Sequence, residues 1–411
     1  MGSLSRGLFL VFSGVALCQA QGPRIGNCPV FPADHIWNTP IDTLPVAANS
    51  STYINTVGPG IGLHPDFGSG TWDGGPIGIP FITVPGTQTK YAATFTYADE
   101  SDPGPYAIPM NAPIEGGSNS TGDRHAIAVD TDNCILYELY SAYPEGASWS
   151  AGSGAIFSLN GYTLRPATWT SADAAGLPIM PGLVRYDEIA AGVINHALRF
   201  TVPQTQKAYV WPARHYASSL TGAQYPPMGT RFRLKASFDV SPYPTEVQVI
   251  LRALQKYGMM IADNGSAWYI SGDPDSRWNN DNLHQIGGVH GSDFEVVDVS
   301  SLMIDPNSGQ AKQPGGTPPP PPVAPAPAIT SVTPNPARSA DFTLTVTGTG
   351  FQSGAVVHLN GAALKTSYRS ATVLKASGST TATGNLPVTV LNPNGEVSNS
   401  YRVTFEARKS H

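Results

Sequence analysis

Residues 314–327 read PGGTPPPPPVAPAP, and no regular element can contain them. Each proline fixes φ and removes a backbone donor, so a helix would lose internal bonds and a strand its ladder. Such a stretch is an extended, semi-rigid spacer, roughly 40 Å long at ~3.1 Å per residue. The chain must therefore fold as two unlike parts. The expected organisation is a signal segment over 1–20, a large module over 21–306, a Pro/Gly-rich linker over 307–328 and a small module over 329–407.

The first residues set the compartment. Arg6 is followed by an apolar run over 7–17, too short to span a bilayer, and then by Cys18-Gln19-Ala20 ahead of Gln21. This is the pattern of a cleaved secretory signal, so the mature chain is expected to be secreted and extracellular. After cleavage only Cys28 and Cys134 remain, and in an oxidising compartment they are expected to form one disulfide. No later stretch approaches the ~20 apolar residues of a membrane span, so membrane insertion is not expected. Lys and Arg number 23 against 29 Asp and Glu, a net charge of −6 with no basic run, which argues against a nucleic-acid partner. The 43 glycines and 38 prolines are spread through the large part as well as the spacer, so turns should be frequent and long helices few.

After the spacer, short alternating segments are separated by Gly, Asn and Pro turns, the pattern of a small β-sandwich. The opening Ile329-Thr-Ser-Val-Thr-Pro334, the Gly348-Thr-Gly-Phe351 turn, the Val356-Val-His-Leu-Asn-Gly361 strand and turn, and the closing Val388-Thr-Val-Leu-Asn-Pro-Asn-Gly395 closely resemble an IPT/TIG domain. That resemblance implies an immunoglobulin-like fold, found in spacers, adhesion units and companions of polysaccharide-acting enzymes. All seven tryptophans precede the spacer, and the module's Phe342, Phe351, Tyr368, Tyr401 and Phe405 mostly take strand positions. A spacer role is therefore favoured over sugar binding.

Within the large module, period-2 apolar patterns predict strands over 81–84, 92–97, 126–130, 135–140, 194–201, 208–211, 232–237, 259–262 and 294–297. Val247, Ile250, Leu251 and Leu254 repeat at helical spacing over 246–257, between Thr245 as cap and Gly258 as stop. The expected fold is mostly β: a large β-sandwich or jelly-roll-like module with one bracing helix, plus a C-terminal immunoglobulin-like sandwich.

Chemistry concentrates in residues 122–140, which read as a hairpin turning near 131–133. A two-residue loop puts His125, Ile127 and Val129 on one face with Cys134, Leu136, Glu138 and Tyr140. An apolar face ending in His, Glu and Tyr has the make-up of a catalytic cleft, although a buried His–Glu bond can be purely structural. His196 falls on the side of Leu198 and Phe200, and Arg214-His215 ends a further strand. The candidate catalytic residues are thus His125, Glu138, Tyr140, His196 and His215. Histidines and a carboxylate from separate strands also suit a divalent metal, which is left open because no HExxH, His-x-His or Cys-x-x-Cys spacing enforces it. A lyase would need a cation or amide against a uronate and a His or Tyr to move the proton, types that His125, Tyr140, His196, Arg199, Arg214 and His215 supply. A glycoside hydrolase would pair Glu138 with Asp123, Asp187, Glu188 or Asp263. The acidic run 99–102 lies among Pro and Gly and is expected to be a solvated turn. Residues 273–281 hold oxygen ligands for Ca²⁺ without EF-hand spacing. No Gly-x-Ser-x-Gly, P-loop or Gly-x-Gly-x-x-Gly is present, against esterase and nucleotide chemistry.

The expected function is a secreted polysaccharide-degrading enzyme, lyase or glycoside hydrolase, acting as a monomer on polysaccharide or cell-wall glycan. Trp-bearing loops over 70–75 and 147–169 would offer sugar-stacking surfaces. One alternative is a non-catalytic carbohydrate-binding or adhesion protein. Another is a metal-dependent oxidative or hydrolytic enzyme using the His/Glu cluster.

Overall fold

The hairpin forms with the parity that alternation requires. Strands Ala126–Asp130 and Ile135–Tyr140 pair antiparallel with Ile127 opposite Glu138 and Val129 opposite Leu136. The ladder closes through Thr131–Cys134, where Asp130 accepts from the amides of Asp132 and Asn133 at 3.1 and 2.9 Å. This is the local side-chain bonding that makes Asp a turn former. Flanked by Ser153–Ser158 on one side and Ile82–Val84 on the other, the hairpin is the centre of a four-stranded sheet.

The computed structural model describes residues 22–313, 327–393 and 397–407. Residues 1–21, where the signal segment is expected, and nearly all of the proline-rich spacer lie outside them. The chain divides into two compact units between Pro318 and Pro319.

The larger unit is mostly β. Ile127, Val129, Leu136 and Phe157 leave one face of the four-stranded sheet for the main core, while Ala126, Ala128, Tyr137 and Leu139 leave the other for a smaller core shared with Trp149 and Ala151. Both faces are buried, which suits the near-continuous apolar runs of these strands. Trp149 and Ala151 belong to a three-stranded sheet of Tyr143–Glu145, Ser148–Ala151 and Ala92–Phe95.

A six-stranded mixed sheet is ordered Phe294–Val297, Arg231–Leu234, Met259–Asn264, Leu198–Val202, Tyr269–Ser271 and His64–Asp66. Its registers place Leu198, Phe200, Phe232, Met259 and Ile261 on one apolar face. Arg199, Arg231 and Arg233 alternate with them and are nonetheless buried. Each is held by acceptors: Arg199 by Asp173, Arg231 by the carbonyls of Tyr257 and Ile36, and Arg233 by Glu295 and the carbonyls of Ile41 and Leu44. Burying guanidinium groups is tolerated only with such partners.

The expected helix is present over Thr245–Lys256, its apolar stripe buried, with Pro244 as N-cap and no side-chain capping bond from Thr245. A second helix of eight residues, Ser50–Val57, packs Tyr53, Ile54 and Val57 inward; its lack of a side-chain cap and of first-turn acids hid it from the sequence pattern. Residues 208–211 form no strand, only a single bridge from Tyr209 to Met228, because Pro212 has no backbone donor and the Gly229 turn interrupts any longer ladder.

Cys28 and Cys134 are disulfide-bonded, 106 residues apart, tying the N-terminal segment to the hairpin turn. Reduction, or Cys28→Ser with Cys134→Ser, is expected to lower the stability of the larger unit by about 2–4 kcal/mol through the freed chain entropy of so long a loop. Thermal melts with and without reductant would show it.

The smaller unit is a sandwich of two sheets. Ala328–Thr333, Ala340–Thr349, Val373–Thr380 and Lys365–Ser370 form one, and Ala337–Arg338, Tyr401–Glu406, Gly384–Leu391, Val356–Leu359 and Ala362–Ala363 the other. Phe342, Phe351 and Phe405 lie in its core, leaving Tyr368 as the exposed aromatic side chain among its described residues.

Candidate active site

Where the four-stranded sheet's hairpin meets the six-stranded sheet, a cavity of about 360 Å³ is lined by Tyr97, Glu100, Asp123, Tyr140, Asp173, His215 and Asp263, with small residues between. Several backbone features converge on it. Arg124 and Ser141 both have positive φ, 53° and 49°, and face each other at the open end of the hairpin through Ser141 N–H to the Asp123 carbonyl and Ala142 N–H to the Arg124 carbonyl. Non-glycine residues in this region are strained and persist where surrounding structure demands them. The Arg124 guanidinium supplies that demand, donating to the carbonyls of Ala142, Ser118 and Ser120. Tyr140 ends its strand on the face of Leu136 and Glu138, Asp123 lies beyond the Arg124 kink, and both line the cavity.

Asp263 arrives by a different device. Phe200 pairs with Ile261 and Thr201 with Asp263, so Ala262 is an extra residue, a β-bulge. Strict alternation would send Asp263 to the apolar face beside Phe200; the bulge moves it to the arginine face and into the cavity wall. Re-aiming one side chain is what bulges do next to active sites. Burial pushes the Asp263 carboxyl up to about 7, and the nearby Asp173 and Asp123 charges add to the rise. At neutral pH it is therefore a carboxyl that can hold and release a proton.

Asp173 forms part of the floor. It is 1% exposed and takes a bidentate pair from Arg199, Nε to Oδ2 at 2.9 Å and Nη2 to Oδ1 at 2.8 Å. His215 donates from Nδ1 to the Ala174 carbonyl at 2.8 Å, and its Nε2 lies 3.7 Å from the Glu100 carboxylate. Among the lining residues there is no lysine or arginine.

The five sequence candidates separate into three environments. Tyr140 and His215 line the cavity. His125 and Glu138 lie behind its wall, 3% and 0% exposed. The His125 Nδ1 is 2.6 Å from Glu115 and its Nε2 is 3.0 Å from the Ala172 carbonyl. With an acceptor at each nitrogen the ring is a doubly protonated donor. Desolvation opposes the charge, but Glu115 overrides it and raises the pKa to about 9. A histidine so committed holds the Ala172 wall in place and has no nitrogen free to take a proton. Glu138 accepts from the amides of Ile179 and Met180 at 2.9–3.0 Å, and burial pushes its carboxyl up to about 7. His196 sits in a separate buried cluster, with Nε2 3.1 Å from both Glu188 and Arg185.

Of the carboxyls considered as partners, Asp123 and Asp263 line the cavity, whereas Glu188 belongs to the His196 cluster and Asp187 pairs with Arg277 at the surface. The run 99–102 is solvated only at Asp99. Glu100 lines the cavity and accepts from Thr170 N–H at 3.0 Å, and Asp102 pairs with Arg165 at 2.7 Å. Local composition concealed this because the partners lie far along the chain. Asp173, set among small residues in Ser171-Ala-Asp-Ala-Ala-Gly176, carries no sequence signal of its own.

Among the described residues no group of three or more His, Cys, Asp or Glu side chains is arranged to hold a metal ion. In the stretch 273–281, Arg277 takes Asp275 and Asp187, leaving no convergent oxygen set there. Among the described residues no helix is long and apolar enough to cross a membrane.

Gly152 lies directly under Tyr140, and a Cβ there would stand 2.6 Å from Cδ1 and 2.9 Å from Cε1 of the ring. Gly152→Ala is expected to displace the Tyr140 ring and destabilise the unit by about 1–3 kcal/mol. Near-ultraviolet circular dichroism and a denaturant melt would register both.

Residues 327–407 match the model of the IPT/TIG domain family, in agreement with the resemblance noted for the small module. No curated protein matches the chain. Among solved structures, part of the chain is similar to an auxiliary nutrient binding protein from Bacteroides ovatus, with 16% identity over 20% of this chain and 21% of that chain and a TM-score of 0.16. Another similar structure is the gamma-CGTase of alkalophilic Bacillus clarkii, with 15% identity over 46% of this chain and 20% of that chain and a TM-score of 0.18. The chain spans about a fifth of the length of each.

Proposed function

We propose that the larger unit is a secreted glycoside hydrolase, with Asp263 as the general acid and Asp123 as its carboxylate partner. The observation that carries this is the lining itself: a carboxyl held near pH 7 by burial and neighbouring charge, in a cavity with three further carboxyl side chains. Glycosidic cleavage needs one carboxyl to protonate the leaving oxygen and a second, ionised, to activate water or attack the sugar. Groups whose environments separate their proton affinities supply that division of labour. Tyr140 and His215 would bond the sugar hydroxyls.

The same lining disfavours a lyase. Uronate elimination requires a cation or an amide against the substrate carboxylate; the nearby Arg199 is saturated by Asp173 and Ser271, and the amide of the lining, Asn264, donates to the Ala217 carbonyl and stands among four carboxyl side chains. An anionic sugar would be repelled, so the substrate is a neutral or amino sugar.

The test is a screen of the full chain against neutral and anionic oligosaccharides, with Asp263→Asn and Asp123→Asn as controls. Hydrolysis of a neutral substrate abolished by either change supports the proposal. Hydrolysis untouched by both, or cleavage of uronates by elimination, overturns it. Absence of turnover on every glycan returns the chain to the binding or adhesion reading.

A further inference from the structure

Trp72 is 79% exposed, the most exposed large apolar side chain among the described residues. Leaving an indole in water forgoes a large burial gain, and the backbone beneath it is rigidly built. Thr71–Trp72 and Gly75–Pro76 pair as a short hairpin, joined by Asp73 and Gly74 with φ of 48° and 85°. Two positive φ values in a two-residue Asp-Gly loop are the tight turn that matches strand twist. The second strand rests on another backbone: a Cβ at Gly75 would come within 2.0 Å of the Gly116 carbonyl carbon, so only glycine allows this approach. The supporting loop is itself fastened to the candidate active site. Arg124 binds the carbonyls of Ser118 and Ser120, and Glu115 bonds His125 by backbone and carboxylate.

We infer that Trp72 is a stacking platform for a neutral sugar ring of a polysaccharide, distinct from the cavity and held in fixed relation to it. The ring stands opposite Gly75 across the hairpin, where no side chain can cover it, and its chain neighbours Thr71 and Asp73 are exposed, which leaves an open apolar face of the kind a pyranose stacks on. A protein partner would call for a broader apolar patch, and the Asp73 carboxylate disfavours anionic sugars. The inference deepens the glycoside hydrolase proposal by adding a second subsite, and it can stand or fall separately from it.

The experiment is retention of the full chain on insoluble cellulose, xylan and β-1,3-glucan, with polygalacturonate as the anionic control, for wild type, Trp72→Ala, Trp72→Tyr and Asp263→Asn. Wild type should bind at least one neutral polymer and not polygalacturonate. Trp72→Ala should weaken that binding about five- to fiftyfold, on the scale of one stacked aromatic, and Trp72→Tyr should recover part of it. In wild type, the bound polymer should shield Trp72 from N-bromosuccinimide oxidation, read by peptide mass spectrometry, so the result does not depend on a variant folding. Equal binding by Trp72→Ala with unshielded Trp72, or no retention of wild type on any neutral polymer, overturns the inference. Asp263→Asn should bind as wild type while losing hydrolysis. Binding that depends on Trp72 without any hydrolysis in wild type would sink the hydrolase proposal and leave the platform standing.

Discussion

Asp263→Asn is expected to lower kcat on a cleaved glycan by about 10²–10⁴, the usual range for removing a positioned acid, with little change in stability. Asparagine keeps the shape and the acceptor for Asn264 N–H, seen at 2.6 Å, but has no proton to give. The pH profile carries the sharper test. A general acid works in its protonated form, so wild-type activity should fall as pH rises through about 7, the value to which burial and the Asp173 and Asp123 charges raise this carboxyl. In the variant that alkaline limb should vanish, leaving a low rate insensitive to pH in this range. An unchanged limb would assign the proton to another group, with Asp123 the next to replace.

Arg199→Met is expected to destabilise the larger unit by about 3–5 kcal/mol, as removal of one partner from a buried ion pair does. Asp173 is left 1% exposed with no countercharge, and Ser271 loses the donor it receives from Arg199. Because Arg199 also restrains the Asp263 pKa, any remaining activity should show its alkaline limb moved to higher pH. Adding Asp173→Leu to Arg199→Met removes the stranded charge and should restore much of the lost stability. Urea unfolding of the single and double variants measures this. A single variant as stable as wild type would mean that the pair does not hold the cavity floor.

The two predictions bear on residues of very different legibility. Tyr140 could be found because it ends a strand whose alternation is uninterrupted, and the parity of a short loop then settles its face; alternation does not place Asp123, which lies beyond the kink at Arg124. Glu138 met the same rule and shares the face of Ile127 and Val129, but depth along that face decides between wall and interior, and two amides from Ile179 and Met180 claim it. His196 likewise lies core-side, where Glu188 and Arg185 occupy it. Glu100 and Asp173 were illegible because their partners, Thr170 and Arg199, stand 70 and 26 residues away.

The sequence alone determined the division at the proline-rich stretch, the immunoglobulin-like character of the small module, the strands of the hairpin and the single cystine. Each follows from local chemistry: the fixed φ of proline, period-2 alternation, and the presence of only two cysteines, Cys28 and Cys134, after residue 20. Only the tertiary structure decided which carboxyls face one another. An extra residue at Ala262 inverts the side on which Asp263 stands, and kinks at Arg124 and Ser141 are set by bonds to Ser118 and Ser120 and across the hairpin. A one-residue shift in a strand reverses every side chain beyond it, and the forces that fix that shift are packing contacts between segments remote in the chain.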